Sequence, residues 1–350
     1  MFDEIFILII FLTLFFTLRW AFKTLPEEKW QIIGCFPYQK LPNDYWRGWN
    51  LTWYGFFNAV ATLFAVLMLI ILLGATSTSL IAGLLILTLL LLICMPAARI
   101  LAWKIENKRN TATVGGASFI GILIAPLIVF ITKLIGDNWF GFHISVITVL
   151  STMSVAYALG EGIGRLACIS FGCCYGKPLK ELSPFAKKIF LRHNFIFTGK
   201  TKKIAYAHAL DGQQVIPAQA LTTLIYSITG LIGCYLFLKG FASIVFVLIL
   251  SVTQIWRFLS EFLRADYRGK GKISVYQIMA LTSCLYGLVV AFIFHEPQLN
   301  KPDLMLGLSI LWNPALLLFL MALGVIVCFY TGKSKVTTAL IDIQVNKSEI

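Results

Sequence analysis

The chain has 350 residues, 59% hydrophobic and 13% charged, with a formal net charge of +13 and a mean hydropathy of +0.83. No water-soluble domain has this composition, and the apolar runs are continuous rather than alternating, which excludes a membrane β-barrel. The cation excess is accompanied by no nucleic-acid recognition module, so nucleic acid is a poor partner for it.

A membrane-crossing helix needs about 20 mostly apolar residues. Nine runs meet that requirement: 5–22, 53–73, 79–101, 116–135, 141–160, 217–238, 242–263, 275–294 and 307–331. They predict an all-α, polytopic helical membrane protein. The chain divides into an N-terminal span with an interfacial arm (1–52), a first half-bundle (53–172), a basic extramembrane head (173–215), a second half-bundle (216–331) and a polar tail (332–350).

The chain opens Met-Phe-Asp-Glu, acidic rather than basic, and no small-x-small site follows the first apolar run. That run is therefore expected to remain as a span rather than be cleaved as a signal peptide. Ile32-Ile33-Gly34-Cys35 has the form of a lipoprotein cleavage box, but polar Thr24 to Gln31 separates it from the apolar run. Cys35 reads as a loop cysteine. The arm 23–52 carries Trp30, Phe36, Tyr38, Tyr45, Trp46 and Trp49, a composition suited to the headgroup boundary. Pro96 and Pro126 interrupt two spans and read as packing kinks.

Residues 160–178 follow, with Arg165 among Gly160, Gly162, Gly164, Gly172 and Gly176. An arginine inside a membrane segment is a functional candidate by default, and small residues around it permit close helix packing. The Gly160-x-Gly162-x-Gly164 spacing is not a nucleotide loop, because no strand precedes it. Glu161, four residues before Arg165, is its expected helical partner. Cys168, Cys173 and Cys174 gather here, whereas Cys94, Cys234, Cys284 and Cys328 sit in apolar runs as small buried groups. His193 and His208 lie downstream at a spacing that matches no standard metal pattern, so no metal is expected. A disulfide requires this face to lie outside the cytosol.

In the seventh run, Arg257, Glu261 and Arg264 are spaced to share one helical face. Two arginines bracketing a glutamate can hold a phosphate while the carboxylate orients the guanidinium groups. A structural ion-pair ladder between helices is the other reading. Tyr54 opens the second span and Arg99 ends the third. Tyr54 is either a hydroxyl inside the bundle or an interfacial belt tyrosine. The tail after Gly332 reads as polar and mobile.

Threading the nine spans puts Lys133, Lys239 and Lys301 on one face and directs every other Lys and Arg to the opposite one. The asymmetry is either topogenic, marking a cytoplasmic face, or a surface for anionic phospholipid headgroups.

Several of these landmarks, in this order, resemble the prolipoprotein diacylglyceryl transferase family. They are Trp53-Tyr54-Gly55, Ala97-Ala98-Arg99, Gly115-Gly116-Ala117-Ser118-Phe119, Gly164-Arg165-Leu166 through Tyr175-Gly176, and Pro217-Ala218-Gln219. Arg257-Phe258, Glu261-Phe262, Arg264, Ser274 and Gln277 continue the series, which covers roughly 53–290. The resemblance implies a seven-helix core, with the first and last spans as additions. It also implies transfer of diacylglycerol from phosphatidylglycerol to the cysteine thiol of a lipoprotein precursor, without a cofactor, in a bacterial inner membrane. Arg165, Arg257, Tyr54 and Glu261 are the implied catalytic groups. Arg99, Arg264, Gly164, Gly176, Ser118 and Gln219 are the implied substrate-binding positions.

This chain departs from the family pattern. Ile120 stands where the family has a histidine, Cys168 where it has an asparagine, and Cys173 where it has a glutamate. The motif after the head reads Ile216-Pro217-Ala218-Gln219-Ala220-Leu221-Thr222 rather than His-Pro-x-Gln-x-Tyr-Glu. Arginines and glycines are retained while proton-handling groups are lost. A phospholipid-binding paralogue without chemistry is therefore the alternative. The family places its head outside the cytoplasm and the charge count places this head inside; the family orientation is adopted, since basic residues there can serve anionic lipid.

Overall fold

The computed structural model describes residues 1–106, 114–265, 273–296 and 301–350, and only the backbone of Leu80, Glu106 and Val114. In chain order, α1 (Phe2–Thr24) leads into a hairpin of β1 (Ile32–Lys40) and β2 (Trp46–Thr52). The first half-bundle is α2 (Trp53–Ala75), α3 (Leu80–Glu106), α4 (Val114–Ile135) and α5 (Val146–Phe171). The head holds α6 (Pro184–Phe190), β3 (Phe195–Ile196), α7 (Lys203–His208) and β4 (Gln214–Val215). The second half-bundle is α8 (Ala218–Leu238), α9 (Ala242–Ser260), α10 (Val275–Ile293), the short α11 (Leu304–Ser309) and α12 (Pro314–Gly332), followed by β5 (Lys333–Ile341). Among the described residues nine helices are long and apolar enough to cross a membrane, so the chain is a multi-pass helical membrane protein.

Helix α5 is the axis of the bundle and packs on α2, α8 and α9. Its span is 78% inside the protein, against 22% for α1 and α12. Its glycines explain the close fit. A Cβ on Gly160 would lie 2.6 Å from the Ala65 Cβ of α2, and one on Gly162 would lie 2.9 Å from the Ser227 Oγ of α8. Both neighbours approach closer than any side chain allows. The helix starts on Ser145, whose hydroxyl accepts from the Thr148 N–H at 3.4 Å. It stops at Gly172, which is left-handed at φ +69°, while the Cys173 N–H bonds back to the Cys168 carbonyl at 3.0 Å.

Two span boundaries differ from the sequence expectation. The fifth span runs 146–171 rather than 141–160, so Arg165 lies well inside a helix. The last apolar run is broken between α11 and α12. Asn313 caps α12 by accepting from the Ala315 N–H at 3.0 Å, and Pro314 sits in its first turn.

The arm and tail also differ from expectation. The arm forms the β1–β2 hairpin, and the tail is a strand: the sheet order is β1-β2-β5, antiparallel throughout. The Thr52 hydroxyl donates to the Gly332 carbonyl at 2.8 Å, and Asn50 Nδ2 donates to Thr337 Oγ1 at 3.0 Å.

The head is stitched to the end of α1 and the end of α5. Lys202 is fully buried, and its Nζ donates to the Leu25 carbonyl at 3.1 Å and the Ser170 carbonyl at 2.6 Å. Burial pushes this amine down to about 7, against a smaller opposing pull from Glu28 and Glu27. Gln31 Nε2 donates to the Thr201 carbonyl at 2.6 Å, and the Thr198 N–H donates to the Pro26 carbonyl at 3.1 Å.

Candidate functional site

Three residues one turn apart on α5, Tyr157, Glu161 and Arg165, define the centre. Arg165 Nη2 is ion-paired with Glu161 Oε1, as its i,i+4 spacing requires. Arg257, near the end of α9, brings its Nη2 to 3.7 Å from the same carboxylate oxygen. The two guanidinium groups therefore meet at one carboxylate. Arg257 is further held by Nη1 donating to Ser118 Oγ at 2.8 Å and by Nη2 donating to Tyr157 Oη at 3.4 Å. Ser118 in turn donates to the Gly115 carbonyl at 3.1 Å. Helices α4, α5 and α9 thus fix one arginine between them. The Arg165 Nε–H is buried and has no acceptor among the described residues.

The stripe 257–261–264 is not one helical face. Helix α9 ends at Ser260 and residues Glu261–Leu263 tighten into a 3₁₀ turn. Glu261 accepts from Ser274 Oγ at 3.4 Å, and Arg264 becomes extended and bridges to Gly176 of the head. The carboxylate beside Arg257 is Glu161, shared with Arg165, rather than Glu261 shared with Arg264. Ser274 and Gln277 form a capping box for α10: Ser274 Oγ accepts from the Gln277 N–H at 3.2 Å, and Gln277 Oε1 accepts from the Ser274 N–H at 2.8 Å.

Tyr54 opens α2 and its ring lies tilted at 60° against Phe171, 5.4 Å between centroids, at the end of α5. Gln219 is buried on α8 and its Nε2 donates to the Cys173 carbonyl at 2.7 Å. Gly176 lies against Ile216, where an added Cβ would come within 2.5 Å. Gly164 faces Ala61 of α2 at ordinary contact distance, 3.7 Å from a built Cβ. Arg99 is exposed on α3 and donates to the Tyr330 hydroxyl of α12. Its partner is thus one of the two spans beyond the expected core.

Between Tyr54, Arg165 and the head lie Cys168, Cys173 and Cys174. The Cys174 thiol is pushed below its ordinary value, first by hydrogen bonds from Cys168 and Cys173 and then by Arg264 and Arg165. On the other side of the centre an apolar hollow of about 200 Å³ runs between α2, α3 and α5. Ala65, Leu69, Ile86, Leu87 and Met153 line it together with Tyr157, whose hydroxyl accepts from Arg257. Charge on one side of Tyr157 and hydrocarbon on the other is the polarity of a phospholipid.

Tyr157 is the residue that the sequence reading missed. The signal was present, since Tyr157, Glu161 and Arg165 repeat every four residues on a helix whose register was misplaced.

The sequence profile of the family described as prolipoprotein diacylglyceryl transferase matches residues 45–293. A phosphatidylglycerol–prolipoprotein diacylglyceryl transferase of Clostridium tetani (strain Massachusetts / E88) is 26% identical over 166 residues, 47% of this chain and 57% of that protein. The chain therefore matches little more than half the length of this curated relative. The profile covers α2 to α10 and leaves α1 and α12 outside it.

Proposed function

Because the chain belongs to the prolipoprotein diacylglyceryl transferase family, we propose that it moves the diacylglyceryl group of phosphatidylglycerol onto the cysteine thiol of a lipoprotein precursor, in the bacterial inner membrane. The observation that carries this reading is the meeting of Arg165 and Arg257 at Glu161. In the proposed reaction the donor phosphate enters between the two guanidinium groups and also takes the orphaned Arg165 Nε–H. Glu161, Ser118 and Tyr157 hold the guanidinium groups in place beforehand, so little reorganisation is needed as charge develops. An acyl chain occupies the hollow behind Tyr157. The acceptor thiolate attacks the glycerol carbon, the carbon–oxygen bond to the phosphate breaks, and glycerol phosphate leaves with the electron pair.

The test is transfer from labelled phosphatidylglycerol to a peptide bearing a cleavage-box cysteine. Arg165→Ala and Arg257→Ala should each lower turnover by at least about 100-fold, the usual loss for one preorganised charge donor. Full activity in either variant would remove the clamp.

A second reading, a lipid-binding paralogue without chemistry, is favoured by Ile120, which cannot accept a proton. Binding of phosphatidylglycerol with no transfer to any thiol peptide would establish it over the first.

A further inference from the structure

Three sulfurs meet where α5 gives way to the head. Cys168 lies on the last turn of the helix, and Cys173 and Cys174 follow its glycine stop. Left-handed backbone at Gly172 (φ +69°) and Cys174 (φ +57°) folds the chain back on the helix end. The Sγ atoms of all three residues then lie within 4.8 Å of one another. Three thiolates around one zinc ion, each at about 2.3 Å, place their sulfurs roughly 4 Å apart, a small side-chain adjustment from this arrangement. Cys173 is buried while Cys168 and Cys174 keep part of their surface. Arg165 lies one turn before Cys168 on α5, and Arg264 bridges to Gly176, two residues after Cys174. Their guanidinium groups would offset the net negative charge of a divalent ion with three thiolates. The Cys173 backbone is fixed by Gln219, which donates to its carbonyl at 2.7 Å.

We propose that Cys168, Cys173 and Cys174 bind one thiophilic d10 cation, Zn2+, through three thiolates, and that its fourth position takes the acceptor thiol. The fourth-ligand part rests on the transfer reaction proposed above; the three-thiolate part does not. Three protein ligands with one open position is the arrangement of zinc sites that act on a substrate. A thiol that coordinates zinc is deprotonated outright, its proton passing to water. The zinc-bound sulfur then forms the sulfur–carbon bond as the carbon–oxygen bond breaks, and the electron pair leaves on glycerol phosphate. Nothing is oxidised or reduced. The site supplies the thiolate that Ile120 cannot generate, a few residues from the arginine assigned to the leaving group.

The experiment uses the full chain, reduced, in detergent or lipid nanodiscs, with Zn2+ measured by elemental analysis and by competition with a chromophoric chelator. One Zn2+ per chain is expected. Cys168→Ser, Cys173→Ser and Cys174→Ser should each weaken it by more than about 100-fold, beyond the loss seen when only outer partners of a metal site are removed. Cys94→Ser and Cys284→Ser should leave it unchanged. Replacement by Co2+ gives sulfur-to-metal charge-transfer bands that need no variant to fold. Those bands should shift on adding the cysteine peptide and not its serine analogue. No stoichiometric metal in the reduced wild-type protein, or equal affinity in all three variants, overturns the site. Bands unmoved by the peptide, with transfer persisting after chelation, overturn the fourth-ligand role. Stoichiometric zinc with no transfer under any condition supports the site and removes the transferase reading.

Discussion

Glu161 decides how the centre behaves at the scale of single residues. Two guanidinium groups in a largely buried setting repel each other, and one carboxylate offsets both. Glu161→Gln should destabilise the protein by about 3–5 kcal/mol, the range for breaking a buried pair from one side. Phosphatidylglycerol should recover more stability in that variant than in the wild type, because the lipid phosphate replaces the missing charge. Thermal unfolding with and without the lipid checks both; equal lipid-induced shifts would mean that the phosphate binds elsewhere. Lys202 gives a pH dependence. Its folded value, about 7, lies below the ordinary lysine value. The cost of burying it is therefore fully present below pH 7 and is relieved as the pH rises toward the unfolded value. Protease resistance of the head should rise between pH 7 and 9.5, and Lys202→Met should flatten that rise. Arg165, Glu161 and Arg257 were legible in the sequence, because charge inside an apolar run has few explanations. The assignment of the orienting carboxylate to Glu261 assumed a helix that continues past Ser260, which it does not.

At the scale of elements, α5 shows why hydropathy misplaced one span. Its mean hydropathy is 1.5, the lowest of the nine, and its burial, 78%, is the highest. A helix surrounded by other helices needs no uniformly apolar surface, so residues 161–171 were cut off from it. The glycines carry that burial. Gly160→Leu and Gly162→Leu should each cost about 1–3 kcal/mol or more by overpacking, read as lost thermal stability, whereas Gly164→Ala, with a built Cβ at 3.7 Å, should be nearly neutral. The break before α12 was legible in Asn313-Pro314 and was passed over because the flanking residues are apolar. The gathering of Cys168, Cys173 and Cys174 was legible but the convergence of their sulfurs was not, since a Cys-x4-Cys-Cys spacing matches no common ligand pattern and closes only through two left-handed residues after the helix. The β2–β5 pairing joins positions about 280 residues apart, a separation at which local pattern carries no information.

At the scale of the molecule, the charge asymmetry is sharper than a count suggests. On the sparse face Lys239 pairs with Asp3 at 3.0 Å and Glu4 at 2.7 Å, and Lys133 pairs with Glu296 at 2.9 Å. On the opposite face, α6 presents exposed Phe185 and Ile189 beside Lys187 and Lys188, a surface that can lie on a bilayer. Replacing Lys187, Lys188 and Lys203 by glutamine should weaken the preference for anionic lipid by about 1 kcal/mol per charge, most visibly at low salt. Lys202 does not belong with them, because its amine is turned inward. Lipid preference that is unchanged in the triple variant would leave the asymmetry purely topogenic. A reporter fused after Ile350 should lie on the same side as the head, since β5 pairs with the hairpin that precedes α2.

That three-stranded sheet also sets an order of events during synthesis. The β1–β2 hairpin leaves the ribosome ahead of most of the bundle, yet the edge of β2 receives its partner only after the nine spans found among the described residues have been made. Through most of translation the nascent protein carries an open strand edge at the bilayer surface, a template for pairing with other chains. Closing it locks α12 against α2 through the Thr52–Gly332 bond. A nascent chain stalled before Lys333 should therefore be captured by chaperones or quality-control proteases even with every helix inserted.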